Sequence, residues 1–212
     1  DRLSRGVAAL ATNGTAGLKG TLHVTRTTIC DEALRALRPA PLYTRPPGFA
    51  NALVQACTPA NTMLVDPAGV ARLRAARHGA IAADVISHDW WAYQIITGAG
   101  GQAVMDPRPG LLYRQHGANV IGANRGLRSL HRRLGRYLAG THGRWARQNC
   151  AGLAASQARF TPENRRRLQD FAAALRQPVF QIGEEFGGVL FQPRPFRADI
   201  GAALQVQQAA VC

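Results

Sequence analysis

Apolar positions along the first half of the chain alternate between helical and strand spacing. Residues 3–12, LSRGVAALAT, predict the last turns of a helix, closed by a Gly/Asn turn. Residues 20–27, GTLHVTRT, alternate and are rich in β-branched side chains, which predicts a strand. DEALRALR, 31–38, predicts a short helix stopped by Pro39, and PLYTRPPGF, 41–49, a proline-rich loop. NTMLVD, 61–66, predicts a short buried strand running into a helix with Asp66 as cap and Pro67 in its first turn. A further helix is predicted from about Asp89 to Thr97, ended by Gly98, Gly100 and Gly101. Two strands follow, 101–106 and 110–116, joined by Pro-Arg-Pro, and then a loop marked by Gly117 and Gly122.

From Asn124 the pattern changes. Leu127, Leu130, Leu134, Tyr137 and Leu138 fall on one side of a helical wheel, and Arg125, Arg128, Arg132, Arg133 and Arg136 on the other. A second helix is predicted from Thr161, its capping residue, to before Pro178. The order strand–helix–strand–helix–strand–strand predicts an α/β unit over 1–124, a mixed sheet with flanking helices. A basic, mainly helical extension over 125–212 follows it. No internal repeat is present.

Composition changes little in this picture, and charge changes more. The 212 residues are 46% hydrophobic and 18% charged, with no apolar run long enough to span a bilayer. The N-terminus lacks a signal-peptide layout, and a first residue of Asp1 predicts processing or a cut upstream. The four cysteines are far apart with no C-x-x-C pair, which favours reduced, mostly buried thiols over a zinc site or disulfide framework. Net charge is +14, almost all of it arginine, with Lys19 the one lysine. Residues 125–167 carry 11 arginines against Glu163 alone, whereas 1–124 carry 12 basic and 7 acidic groups. A field concentrated in one segment predicts an anionic partner.

The candidate chemistry lies in VISHDWWAYQIITGAGG, 85–101, and YRQHGANVIGA, 113–123. Asp89 at a helix start has an ordinary reading, in which a carboxylate accepts from free backbone amides and favours the helix dipole. Trp90 and Trp91 have one too, as core aromatics, and His116 is readable as a hydrogen-bonded structural histidine. Against these stands the placement of Tyr113, Arg114, Gln115, His116 and Asn119 at the end of an apolar strand. Open α/β sheets bind ligands there.

Together, SHDWWAYQIITGAGGQAVMDPRPGLLYRQHGANVIGA resembles the second half of family 2 glycosyltransferases of the GT-A fold, in the bacterial rhamnosyltransferase-like branch. Two motifs, HDWW and YRQH-G-x-N-V-x-G-A, lie at the separation that branch uses. FANALVQACTPANTMLVD, 49–66, resembles the segment before the family's G-x-T-M strand, although Ala60 and Asn61 precede Thr62 and Met63 where a glycine is usual. The resemblance covers about residues 1–125. It implies Asp89 as the general base that deprotonates the acceptor hydroxyl while a nucleoside diphosphate leaves, inverting the anomeric centre. It implies His116 beside a divalent cation, Mg or Mn, or beside the diphosphate bound to it. Arg114 is implied as a phosphate contact, and His88, Trp90, Trp91, Asn61 and Thr62 as substrate-binding residues. DRLSRGVAAL resembles the continuation after the family's aspartate-rich element, which implies that the metal-binding D-x-D and the donor-binding half lie upstream of Asp1. By itself this acceptor half is expected to show no turnover.

Three readings of the arginine-rich helix stay open. It is a solvated face on a packed helix, a dock for anionic lipid or a polyprenyl-diphosphate acceptor through Arg128, Arg132 and Arg136, or a nucleic-acid surface. The last lacks a reading element or interleaved exposed aromatics. The expectation is a nucleotide-sugar glycosyltransferase of cell-envelope polysaccharide synthesis, cytoplasmic and peripheral on the inner membrane face, taking a saccharide or polyprenyl-linked acceptor. The rivals are a non-catalytic basic module for anionic lipid or nucleic acid, and an inactive truncated product.

Overall fold

The computed structural model describes residues 1–12, 19–43, 46–114 and 141–177. His116 and the arginine-rich helix with Arg128, Arg132 and Arg136 lie outside the described residues.

The sheet is organised around β1, Thr21–Cys30, whose β-branched run predicted it. Strand β4, Gln102–Arg114, runs parallel along the whole of β1 on one side. On the other side two short strands share the edge, both antiparallel. Strand β2, Ala36–Pro39, pairs with Thr28 to Cys30, and β3, Leu64–Val65, with Leu22 and His23. The chain therefore has the mixed α/β sheet with flanking helices that was expected.

The helices are α1 (Arg2–Thr12), α2 (Phe49–Val54), α3 (Pro67–Ala82), α4 (His88–Gly98), α5 (Thr141–Ala154) and α6 (Pro162–Ala174). Asp66 caps α3, its carboxylate accepting from the Gly69 amide at 2.7 Å, and it also accepts from the Thr21 amide at 2.8 Å. One side chain thus starts a helix and fixes the first residue of β1. Thr161 caps α6 through the Asn164 amide. The core runs through every layer, from Leu22 on β1 through Leu53, Tyr93 and Ile96 to Leu153 and Phe171 on the two C-terminal helices. Cys30, Cys57 and Cys150 are free and buried.

Several elements depart from the sequence pattern. The helix expected over 31–38 is instead a turn followed by β2. Asp31 accepts from both the backbone amide and Nε of Arg35, Leu34 takes a left-handed φ of 62°, and the returning segment pairs with β1. Pairing outweighs a weak local helical preference. The two strands expected either side of Pro-Arg-Pro form one strand. Its register shifts between the Thr25↔Asp106 and Arg26↔Pro109 pairs, absorbing Pro107 and Arg108 in a bulge. The strand expected over 61–66 shortens to a 3-10 turn, Ala60–Thr62, and two residues of β3. Helix α4 begins one residue earlier than expected.

Helix α1 lies on the sheet with an unusual orientation. Gly6 is buried, and a Cβ there would collide with Leu64 and crowd His23. Arg2 and Arg5 reach inward to bonded partners, while Leu3 and Val7 are 50% and 61% exposed. The charged side faces the sheet and an apolar pair faces solvent.

Candidate functional site

Helix α4 is buried on all sides from Trp90 to Gly98, so it runs through the interior rather than along the surface. Its N-terminus is where this apolar rod emerges, and Asp89 sits at that exit, partly exposed beside an exposed His88. Trp90 and Trp91 are only 5% and 8% exposed. The Trp90 indole N–H donates to the Ala52 carbonyl at 2.6 Å, and the Gln94 amide donates to the same oxygen at 3.0 Å. The Tyr93 hydroxyl accepts from the Gly48 amide and donates to Asn51 Oδ1, with burial first among the causes raising its pKa. Cys57 donates to the same Asn51 oxygen, and burial pushes its thiol up to about 12, so it stays protonated. These contacts fix α4 against α2. The structure places both tryptophans in the interior, where they anchor the helix rather than wall an open pocket.

Asp89 is not the cap. Ser87 holds that position with extended backbone, φ −150° and ψ 116°, but its side chain makes no capping bond. Its hydroxyl donates instead to Asp89 Oδ1, which also accepts from the Trp90 amide at 2.8 Å. Oδ2 accepts from the Ala60 amide at 3.2 Å, and the Asp89 carbonyl accepts from Thr58 Oγ1 at 3.3 Å. Oδ1 thus carries two donors and Oδ2 a single longer one. The carboxylate is clamped between the first turn of α4 and the 3-10 turn Ala60–Thr62.

That turn brings part of the expected substrate set alongside. Asn61 is exposed, and its carbonyl accepts from Arg2 Nη1 at 2.8 Å. Thr62 is buried, its hydroxyl donating to the Pro59 carbonyl at 3.1 Å, so it shapes the turn rather than meeting solvent. Arg114 is at the end of β4, paired in register with Cys30. Asp89 is therefore bonded to the turn that carries Asn61, with His88 next to it in the chain, while Trp90, Trp91 and Thr62 are buried.

The divalent cation was expected beside His116, which lies outside the described residues. Among the described residues no three His, Cys, Asp or Glu side chains converge. Asp89 itself meets one O–H and two N–H donors. Sequence reasoning missed Ser87 and the Ala60 amide. Ser87 was visible as a hydroxyl two residues before Asp89, whereas no side-chain pattern announces a backbone donor 29 residues away.

Over 54 residues the chain is 37% identical to the dTDP-rhamnosyl transferase RfbG of Shigella flexneri. The aligned stretch is 26% of this chain and 19% of that protein, so the chain spans about a fifth of that relative's length. No protein-family model matches the chain, and no solved structure matches it. The match relates part of this chain to a glycosyltransferase. Among the described residues no helix is long and apolar enough to cross a membrane.

Proposed function

We propose that this chain is the acceptor-side part of an inverting glycosyltransferase of the GT-A, family 2 type, with Asp89 as general base. The observation that carries the reading is the clamped, partly exposed carboxylate at the end of a buried helix, with its two oxygens unequally occupied. An alcohol is a poor nucleophile near neutral pH. A fixed carboxylate oxygen beside it takes the hydroxyl proton as the new C–O bond forms. Oδ2, with one long donor, has the lone pair available for that proton, and Oδ1 is the oxygen that holds the group in place. The acceptor oxygen attacks the anomeric carbon opposite the leaving nucleoside diphosphate, so the bond to the phosphate oxygen breaks and the configuration inverts. His88 and Asn61 flank the acceptor.

The donor is a nucleotide-activated sugar, with dTDP-rhamnose the first to test because the matched relative is named for it. The acceptor is a saccharide or polyprenyl-linked glycan, with attachment to an anionic membrane face through Arg128, Arg132 and Arg136. A metal would draw its ligands from His116 and from residues beyond those described. The test is transfer by the full-length protein carrying Asp89→Asn, which keeps the shape and removes the base. A loss of at least about 100-fold in kcat with an unchanged circular-dichroism spectrum is expected. Transfer near the parent rate by a folded variant would sink the assignment.

A further inference from the structure

A second polar cluster lies in the seam between α1 and the β1–β4 pair. Arg5 Nε donates to Asp106 Oδ2 at 2.7 Å. Arg108 donates to the same carboxylate from Nε at 3.0 Å, from Nη2 at 3.2 Å and from its backbone amide at 3.0 Å. The stem of Arg2 lies beside Gly110, where a Cβ would collide with Thr25 Oγ1 and with Arg2 itself. Two guanidinium groups thus share one carboxylate, leaving one positive charge in excess in a half-buried seam.

The hydrogen bonding of this seam is incomplete. Arg5 Nη2, His23 Nδ1 and Thr25 Oγ1 are buried with no partner, although His23 and Thr25 are only 1% and 2% exposed. Thr21 Oγ1, on the same face of β1, is also without one. Buried polar atoms without partners are costly. Several on one face of one strand, beside surplus positive charge, call for an acceptor-rich anion. The Arg108 side chain is 68% exposed, so it can change rotamer without disturbing β1 or β4.

We infer that this seam binds a phosphate-class oxyanion, held by Arg5 and Arg108 with Thr25 donating from beneath. Asp106 then acts as the resident competitor that keeps the arginines oriented while the site is vacant. Arg2 connects the seam to the proposed base, because its guanidinium holds the Asn61 carbonyl one residue from the Ala60 amide on Asp89. The inference does not rest on the role of Asp89, because binding is read here without sugar transfer.

The experiment titrates the protein with inorganic pyrophosphate, and separately with thymidine diphosphate, at fixed low chloride. Arginine Nε–H and backbone amide NMR signals are followed. Saturable shifts at Arg5, Arg108 and Gly110 are expected, weakened about tenfold by Arg108→Gln. Asp106→Asn, in a folded sample, is expected to tighten binding by removing the competing carboxylate. Equal affinity for the two ligands identifies a site for the oxyanion alone, whereas tighter thymidine diphosphate identifies the diphosphate of a nucleotide. Absence of saturable shifts, or shifts that Arg108→Gln leaves unchanged, overturns the site.

Discussion

Ser87 occupies the capping position of α4 yet directs its hydroxyl to Asp89 Oδ1, leaving the capping bond unmade. A filled cap contributes about 1 kcal/mol, so this arrangement forgoes stability to orient a carboxylate. Replacing Ser87 with Ala is therefore expected to leave the urea midpoint almost unchanged while lowering kcat more than it raises KM, and Ser87→Thr should restore kcat. A drop in stability with normal turnover would show that Ser87 serves the fold alone. His23 gives a second prediction at this scale. Burial comes first in lowering its pKa from 6.5, reinforced by Arg5 and Arg108 and opposed by Asp106. Burial works to raise the Asp106 carboxyl, but hydrogen bonds from Arg108 and Arg5 outweigh it and hold it well below the usual range. Both folded pKa values lie below the unfolded ones, so the unfolded chain takes up protons first as pH falls. His23 should cost stability from just below its ordinary value downward, and Asp106 further into acid. The urea midpoint should fall between pH 7.5 and 5.5, and His23→Gln should flatten that slope. An equal slope in the variant would rule His23 out. Of these residues Asp89 was legible in the sequence, because an ionisable pair against two tryptophans is conspicuous. His23 and Asp106 were not, because their meaning depends on β1 and β4 lying in parallel register.

At the scale of elements, the strong signals held and the weak ones yielded to tertiary contacts. Asp66-Pro67 and Thr161-Pro162 marked helix starts because cap chemistry is local. The 31–38 segment misled because its alternation suits both a short helix and an edge strand, and β1 decided between them. Helix α5 was not anticipated. Its sequence, THGRWARQNCAGLA, carries two glycines and an asparagine that weaken an isolated helix. The structure gives Gly152 a reason, since a Cβ there would meet Val85 at 2.8 Å, and one at Gly79 would meet Ala155 at 2.7 Å. Helices α3 and α5 approach through these glycines. The last residue of α4, Gly98, is packed as tightly. A Cβ there would lie 2.9 Å from Phe160 and 3.0 Å from Phe49, whose rings meet edge to face at 5.3 Å. Gly98→Ala is expected to destabilise the fold by about 1–3 kcal/mol through overpacking, read as a lower urea midpoint. An unchanged midpoint would mean that the ring pair moves aside freely.

At the scale of the whole molecule, the C-terminal helices belong to the same packed body as the sheet. Asn164 Nδ2 donates to the Thr97 and Gly98 carbonyls, closing the C-terminal end of α4 from α6. Asn149 on α5 donates to Gln94 Oε1 at 3.2 Å, Gln94 donates to the Ala52 carbonyl, and Trp90 donates to that same oxygen. A line of amides thus runs from α5 through α4 to α2, with Asn149 and Gln94 each 1% exposed. The sequence placed a boundary near residue 124 because charge and periodicity change there. Burial could not be read from either, since Asn149 and Gln94 are polar residues doing interior work.

The amide line also bears on where this gene can be shortened. A recombinant product ending at residue 124 would strip the cover from Gln94 and leave Thr97 and Gly98 without Asn164. The helix that carries Asp89 would then be solvated along a flank built to stay dry. Such a product should be recovered in inclusion bodies, or as a loosely packed state that binds hydrophobic dye, whereas the full chain should remain in solution. Exchanging the 49–114 segment between related chains would accordingly have to carry α5 and α6 with it, as one cassette.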